Sequence, residues 1–283
     1  MHCDSTYIIG KSHQVCQDYA KHGDGYCLIS DGCSSSPHTD VGSRLLVLAA
    51  EQIMRDMPDF PWEDGSRFYE AAAVIAAVRA KEMGLPIEAI DATLHILRAE
   101  KVKDSKEDSI HAFMYGDGVI ASYHEAGEGV IARDMKKETS VFQIIFDDNC
   151  PDYPSYLLNA DRDAIEKRSR NEAYRIRNGE IFRIKELECE RQSAFIRRRF
   201  SSWNTKFVAI FSDGIASMTE RVESETSICQ KPVPAAEVIQ EMLAFKNFAG
   251  QFVQRRVQAF LRECKIKGRE FSDDVSIAVM KFD

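Results

Sequence analysis

The chain has 283 residues, 44% of them hydrophobic and 29% charged, with a formal net charge of −8. This balance excludes wholesale disorder, and the acidity argues against a general nucleic-acid binder, which needs a positive footprint. No run approaches the ~18 consecutive apolar residues of a membrane span, and the start lacks the basic-then-apolar pattern of a secretory signal. The eight cysteines are scattered with no Cys-x-x-Cys pair, which predicts reduced thiols in a cytoplasmic protein.

Taken in chain order, Tyr7 to Gly10 and Tyr26 to Ile29 read as short strands around a polar loop. After a Ser-rich loop, Asp40 is the expected cap of a helix over residues 41–57, with Leu45, Leu48, Ala49, Ile53 and Met54 near one stripe. A second helix is predicted over 67–83, with an apolar set of Phe68, Ala71, Ala72, Ile75 and Val78. From Ala92 the pattern shifts to an antiparallel meander: Thr93 to Leu97, Ile110 to Tyr115, Val119 to Tyr123, Gly129 to Ala132, then Val141 to Phe146. Residues 147–202 read as less regular and rich in arginine. Phe207 to Phe211 is a buried strand, 235–245 and 251–264 are helices, and Val275 to Met280 is a final strand. Helices, strands, helices and a closing strand fit layers of helix on antiparallel sheet.

One local pattern recurs. An apolar run ends in a small residue followed by Asp-Gly, at Ser30-Asp31-Gly32, Gly116-Asp117-Gly118 and Ser212-Asp213-Gly214; Ser272-Asp273-Asp274 precedes the last strand instead. For Asp117-Gly118 a hairpin turn is the favoured reading, because strands flank it closely. Asp31 and Asp213 fit a hairpin less well, since no second strand follows directly. Carboxylates gathered at sheet edges from distant segments repel unless a cation neutralises them, and hard divalent cations prefer such oxygens. The residues alone therefore point to a carboxylate-bound metal centre.

The ordered set His13 to Asp18, Ile29 to Gly32 with Asp40 to Ser43, Gly116 to Gly118, Phe211 to Gly214 and Ser272 to Ser276 resembles the metal-dependent serine/threonine protein phosphatases of the 2C type. The resemblance implies one domain over 1–283. Its fold would be α+β, a four-layer α-β-β-α sandwich of two antiparallel sheets face to face with helices outside, and a variable flap-like segment at about 147–205. It implies two Mn²⁺ or Mg²⁺ ions, with a third held weakly in many members, and a water activated between the first two that attacks phosphoserine or phosphothreonine in a protein substrate. Asp31 matches the bridging carboxylate, Gly32 the carbonyl ligand, Asp213 and Asp273 the other ligands of the first metal, and Asp117 the third-metal carboxylate. Asp18 matches the aspartate that helps hold metal-bound water.

Three positions depart from the family pattern. His13 stands where an arginine clamps phosphate, Gln17 replaces a second-metal carboxylate, and Ser34-Ser35-Ser36-Pro37 replaces a Gly-rich loop. These place the chain in a divergent, bacterial-type branch, and set beside catalysis a second reading, a weakly active or non-catalytic regulator that binds phosphoproteins. The expected partner is a phosphorylated protein, with no nucleic acid and no membrane, and the expected state is a monomer. Cys16 and Cys33 read as packing or loop residues, because the Cys-x5-Arg loop of cysteine phosphatases is missing. Residues 160–200 are locally basic, which reads as a solvated face or as a flap that attracts acidic segments.

Overall fold

The computed structural model describes residues 1–57, 60, 65–101, 107–125, 137–146, 151–159, 161, 169–187, 195–223 and 228–283. Strands β1 (His2–Ile8), β2 (Tyr19–Gly23) and β3 (Tyr26–Ser30) are followed by helices α1 (Thr39–Asp56) and α2 (Gly65–Glu82). Strands β4 (Leu94–Lys101), β5 (Asp108–Tyr115), β6 (Gly118–His124), β7 (Glu138–Phe146), β8 (Ser169–Arg177), β9 (Glu180–Leu187), β10 (Phe195–Ser201) and β11 (Thr205–Phe211) come next. The chain ends with β12 (Met218–Glu223), β13 (Ile228–Pro232), α3 (Ala235–Met242), α4 (Phe252–Lys267), β14 (Arg269–Phe271) and β15 (Val275–Lys281).

Two antiparallel sheets form the centre. One has seven strands in the order β1-β15-β11-β6-β7-β8-β9, the other five in the order β10-β5-β4-β3-β2. Their residues alternate as a strand's period of two requires. In β3, Cys27 and Ile29 point between the sheets, where they meet Ile120, Val208, Ile210 and Ala278. Leu28 points the other way, into a core shared with α1 and α2. In β11, Val208 and Ile210 face the other sheet, whereas Phe207, Ala209 and Phe211 face α3 and α4. The result is the expected α+β sandwich, with helices on both outer faces.

Several elements differ from the sequence reading. Asp40 does not cap α1: the N-cap is His38, in the left-handed region at φ 61°, and Asp40 lies inside the first turn. In α2 the buried face is Phe68, Tyr69, Ala72, Ala73, Ala76 and Ala80, while Val78 is exposed. The small alanines let α2 lie close against α1, so the bulkier apolar residue is the one left outside. Most described residues of the segment read as irregular are strands: β8 and β9 extend the seven-stranded sheet, and β10 edges the five-stranded one. Their charged composition hid the period of two, for in β8 only Asn171, Tyr174 and Ile176 are buried. A third sheet, β13-β12-β14, was not anticipated. The strand expected over Gly129 to Ala132 lies outside the described residues.

The hairpin reading of Asp117-Gly118 is overturned. β5 pairs with β4 and β10, whereas β6 pairs with β11 and β7, so the two strands belong to different sheets. Asp117 therefore sits where the chain crosses from one sheet to the other.

Candidate metal and phosphate site

Asp31 follows directly on β3. Its N–H donates to Thr93 Oγ1 at 3.1 Å, its carbonyl accepts the Thr93 N–H at 2.8 Å, and Ser30 Oγ donates to the Thr93 carbonyl at 2.6 Å. Three bonds to one residue on the approach to β4 fix where the Asp31 backbone ends. Asp213 follows β11 and opens the short 3-10 turn Asp213–Ser217. That turn presses on the start of β15: a Cβ placed on Gly214 would lie 1.8 Å from the Asp274 carbonyl oxygen, so only glycine admits this approach. The Asp273 N–H donates to Ser217 Oγ at 3.1 Å, which ties the last carboxylate to the same turn.

Asp31, Gly32, Asp117, Asp213 and Asp273 thereby line one cleft of about 410 Å³, at the end of the sandwich where both sheets stop. Cys33, Ser34, Ser35, Thr93 and Tyr153 also line it. Asp18 is fully buried beside Asp31, and neither of its carboxylate oxygens has a hydrogen-bond partner.

Burial raises the pKa of Asp31 well above the carboxylate range, and the charges of Asp18 and Asp213 push it further. Burial pushes Asp18 up to about 7, although Asp31, Ser212 and Ser276 beside it work in the opposite direction. Asp117 is raised well above its usual value by burial and then by Asp213, and Asp273 is raised by the same two causes.

His13 and Gln17 stand apart from the cleft lining. His13 Nδ1 lies 3.0 Å from Asp274 Oδ2 and its Nε2 3.6 Å from Asp273 Oδ1. Burial works to lower the His13 pKa, but Asp274, Asp273 and Asp18 together outweigh it and raise it. The Gln17 amide donates to Thr39 Oγ1 at 3.1 Å and accepts from Ser34 Oγ at 3.0 Å. In Cys16 burial pushes the thiol up to about 12, so at neutral pH it is protonated. All six described cysteines are free.

Two residues that sequence reasoning left without a role organise the site. Asp274 is buried and accepts the N–H of Gly10 at 2.7 Å and of Gln17 at 2.6 Å. It was visible inside the last motif, but nothing local marks it as a staple for the first. His95 is fully buried; its Nε2 meets the Asp117 carbonyl at 2.7 Å, and burial lowers its pKa to about 4. A neutral imidazole there donates to that carbonyl and fixes the crossover that carries Asp117.

The gathered donors suit a hard divalent cation. They are oxygens, the buried Asp18 carboxylate has no hydrogen-bond partner, and Asp31 is pressed by two acids whose repulsion a cation relieves. Among the described residues, no three His, Cys, Asp or Glu side chains converge on a point that could hold a metal ion.

Residues 9–262 match the family described as Protein phosphatase 2C. The chain belongs to that family. Its fold is similar to that of the serine/threonine phosphatase Stp1 from Staphylococcus aureus, at 10% identity and a TM-score of 0.51, with 100% of this chain and 96% of that one covered. A bacterial serine phosphatase is similar at 10% identity and a TM-score of 0.50, over 100% of this chain and 98% of the other. PppA, a regulatory component of the type VI secretion system in Pseudomonas aeruginosa, is 14% identical over 100% and 99% of the two chains, with a TM-score of 0.49. No curated protein sequence matches significantly. A protein phosphatase 2C fold thus surrounds the carboxylate cleft, and among the described residues no helix is long and apolar enough to cross a membrane.

Proposed function

We propose that this protein phosphatase 2C family member is a Mn²⁺- or Mg²⁺-dependent hydrolase of phosphoserine and phosphothreonine in proteins, working as a monomer in the cytoplasm through a single domain over 1–283. The observation that carries the reading is Asp31, set between Asp18 and Asp213 in a cleft that Asp117 and Asp273 also line. These acids come from both sheets and from the turn before β15, and their mutual repulsion is otherwise unexplained.

Asp31, Asp213, Asp273 and the Gly32 carbonyl would hold the first cations, and Asp117 a further, weaker one. Divalent cations held by these residues would supply a water of lowered pKa and offset charge on the phosphoryl oxygens during in-line displacement. The chain's own part is placement. Thr93 holds the Asp31 backbone, buried Asp18 sets its charge beside the Asp31 carboxylate, and His95 holds the Asp117 turn. No thiol nucleophile is required, which agrees with the protonated state of Cys16.

One observation favours the second reading, a phosphoprotein-binding regulator with little turnover. Gln17 replaces a charge and its amide is already bonded to Thr39 and Ser34, which weakens the case for a tightly held second ion. The test is hydrolysis of an aryl phosphate and of a phosphothreonine peptide, with Mn²⁺ and with chelator. Mn²⁺-dependent release of phosphate from both supports the enzyme; no release from either substrate at millimolar Mn²⁺ rejects it.

A further inference from the structure

A phosphomonoester carries close to two negative charges, and a cleft that binds it must supply hydrogen-bond donors to its oxygens. Among the described residues lining this cleft there is no Lys, Arg or His. Two cations near it among the described residues are engaged elsewhere: His13 faces Asp273 and Asp274, and Arg44 donates to the carbonyls of Asp40 and Cys16. The wall that faces the carboxylates is built instead from uncharged groups, Cys33, Ser34, Ser35 and Tyr153.

That wall is held rigidly by one buried acid. Asp91 is 1% exposed, its carbonyl accepts the Cys33 N–H at 2.9 Å, and its carboxylate accepts Ser36 Oγ at 2.9 Å and Ser155 Oγ at 2.6 Å. Two separate segments, one carrying Ser35 and the other Tyr153, are tied to the same carboxylate. Their spacing is therefore set by Asp91 and does not depend on a ligand.

The donors on this wall rest on a weak partner. Ser35 Oγ lies 3.0 Å from the Cys33 sulfur, and the Tyr153 hydroxyl bonds the same sulfur. A thiol is a poor hydrogen-bond acceptor compared with oxygen. A phosphoryl oxygen entering the cleft would replace sulfur at each hydroxyl and gain a charge-assisted bond. The Ser34 hydroxyl, by contrast, already donates to the Gln17 carbonyl oxygen.

We infer that Ser35 and Tyr153 are phosphate-holding donors of this cleft, binding the phosphoryl group of a phosphomonoester through neutral hydroxyls. The inference rests on the phosphatase reading for its substrate class and adds the residues that recognise it. It has a specific consequence: the share of phosphate affinity that these two hydroxyls supply carries no ion pair, so that share varies little with ionic strength.

The test uses the full-length chain with Mn²⁺, and two readouts: steady-state kinetics on an aryl phosphate, and calorimetric titration with inorganic phosphate. Ser35→Ala and Tyr153→Phe should each raise KM and the phosphate Kd about fivefold, the worth of one hydrogen bond, with kcat changed less than about twofold. The double variant should show both losses. The ratio of each variant's Kd to the parent's should stay the same within about twofold between roughly 0.05 and 0.5 M salt, whereas Ser35→Arg should tighten phosphate binding at the lower salt and lose that gain at the higher. If the double variant binds phosphate as the parent does, or if its deficit disappears at the higher salt, the inference is overturned. A chain that binds phosphate in this Ser35- and Tyr153-dependent way but hydrolyses nothing would keep the inference and reject the enzyme; a chain that binds no phosphate at all would overturn the inference.

Discussion

The carboxylate of Asp274 accepts the backbone N–H of Gln17 at 2.6 Å across 257 positions of sequence. The same side chain takes the N–H of Gly10 and faces His13, so a single buried acid fastens the first motif to the last. Asp274→Ala should leave two backbone donors without their charged acceptor and destabilise the chain by about 2–4 kcal/mol. Denaturant unfolding checks this, and a loss under about 0.5 kcal/mol would mean the loop is held by other contacts.

Asp213 touches Asp31 and also raises Asp117 and Asp273, so it is the common neighbour of the cleft acids. Asp213→Asn removes one charge with little change of shape. Mn²⁺-dependent hydrolysis should fall about 10²-fold or more, on the scale of losing one preorganised electrostatic group. Calorimetry should show weaker Mn²⁺ binding in the same variant. Turnover equal to the parent would sink the metal-centre proposal.

A pH dependence follows from the raised acids. With no metal bound, folded Asp18 titrates at about 7 and its unfolded counterpart near 3.8. Between these values the folded state holds more protons, so stability falls as pH rises through that window. His13 acts in the same direction: its raised pKa gives stability that is present below the unfolded value and lost as pH rises through the folded one. The melting temperature of chelator-treated protein should therefore drop from pH 5 towards pH 8, with added Mn²⁺ restoring most at the upper end. Asp18→Asn should flatten the profile. A melting temperature that climbs over this range would contradict the cluster's electrostatics.

Asp117 occupies the two-residue crossover between sheets, with its carbonyl held by His95. If it supports an outer, weakly bound cation, Asp117→Asn should depress turnover at limiting Mn²⁺ several-fold more than at saturating Mn²⁺. An equal loss at both concentrations would indicate a purely structural crossover. His95→Gln, which preserves a donor, should be milder than His95→Ala in the same assay.

The Gln17 amide is satisfied by Thr39 and Ser34, and it carries no charge. Gln17→Glu should lower the Mn²⁺ concentration needed for half-maximal activity, since a carboxylate near the cluster adds attraction for a cation. An unchanged or higher Mn²⁺ demand would place Gln17 outside the metal centre.

What the sequence determined by itself was everything that short segments encode. The apolar runs Val275 to Met280 and Phe207 to Phe211, the stops after Asp31 and Asp213, and the order of five motifs all follow from local pattern and turn chemistry. The α+β sandwich and the family were legible from that order. What only the tertiary structure decided depends on pairings between distant strands. Asp117-Gly118 looked like a hairpin because the residues of a two-residue turn are the same whether its flanking strands pair with each other or with separate sheets. Asp274 and Asp91 gave no local sign of their roles, for a buried carboxylate that gathers backbone and hydroxyl donors is defined by those donors, and they come from β-strand ends and loops far away in the chain. β8 to β10 were hidden for a related reason: strands near a sheet edge bury few side chains, so their composition follows solvent exposure, and only the hydrogen-bonding neighbour makes them strands.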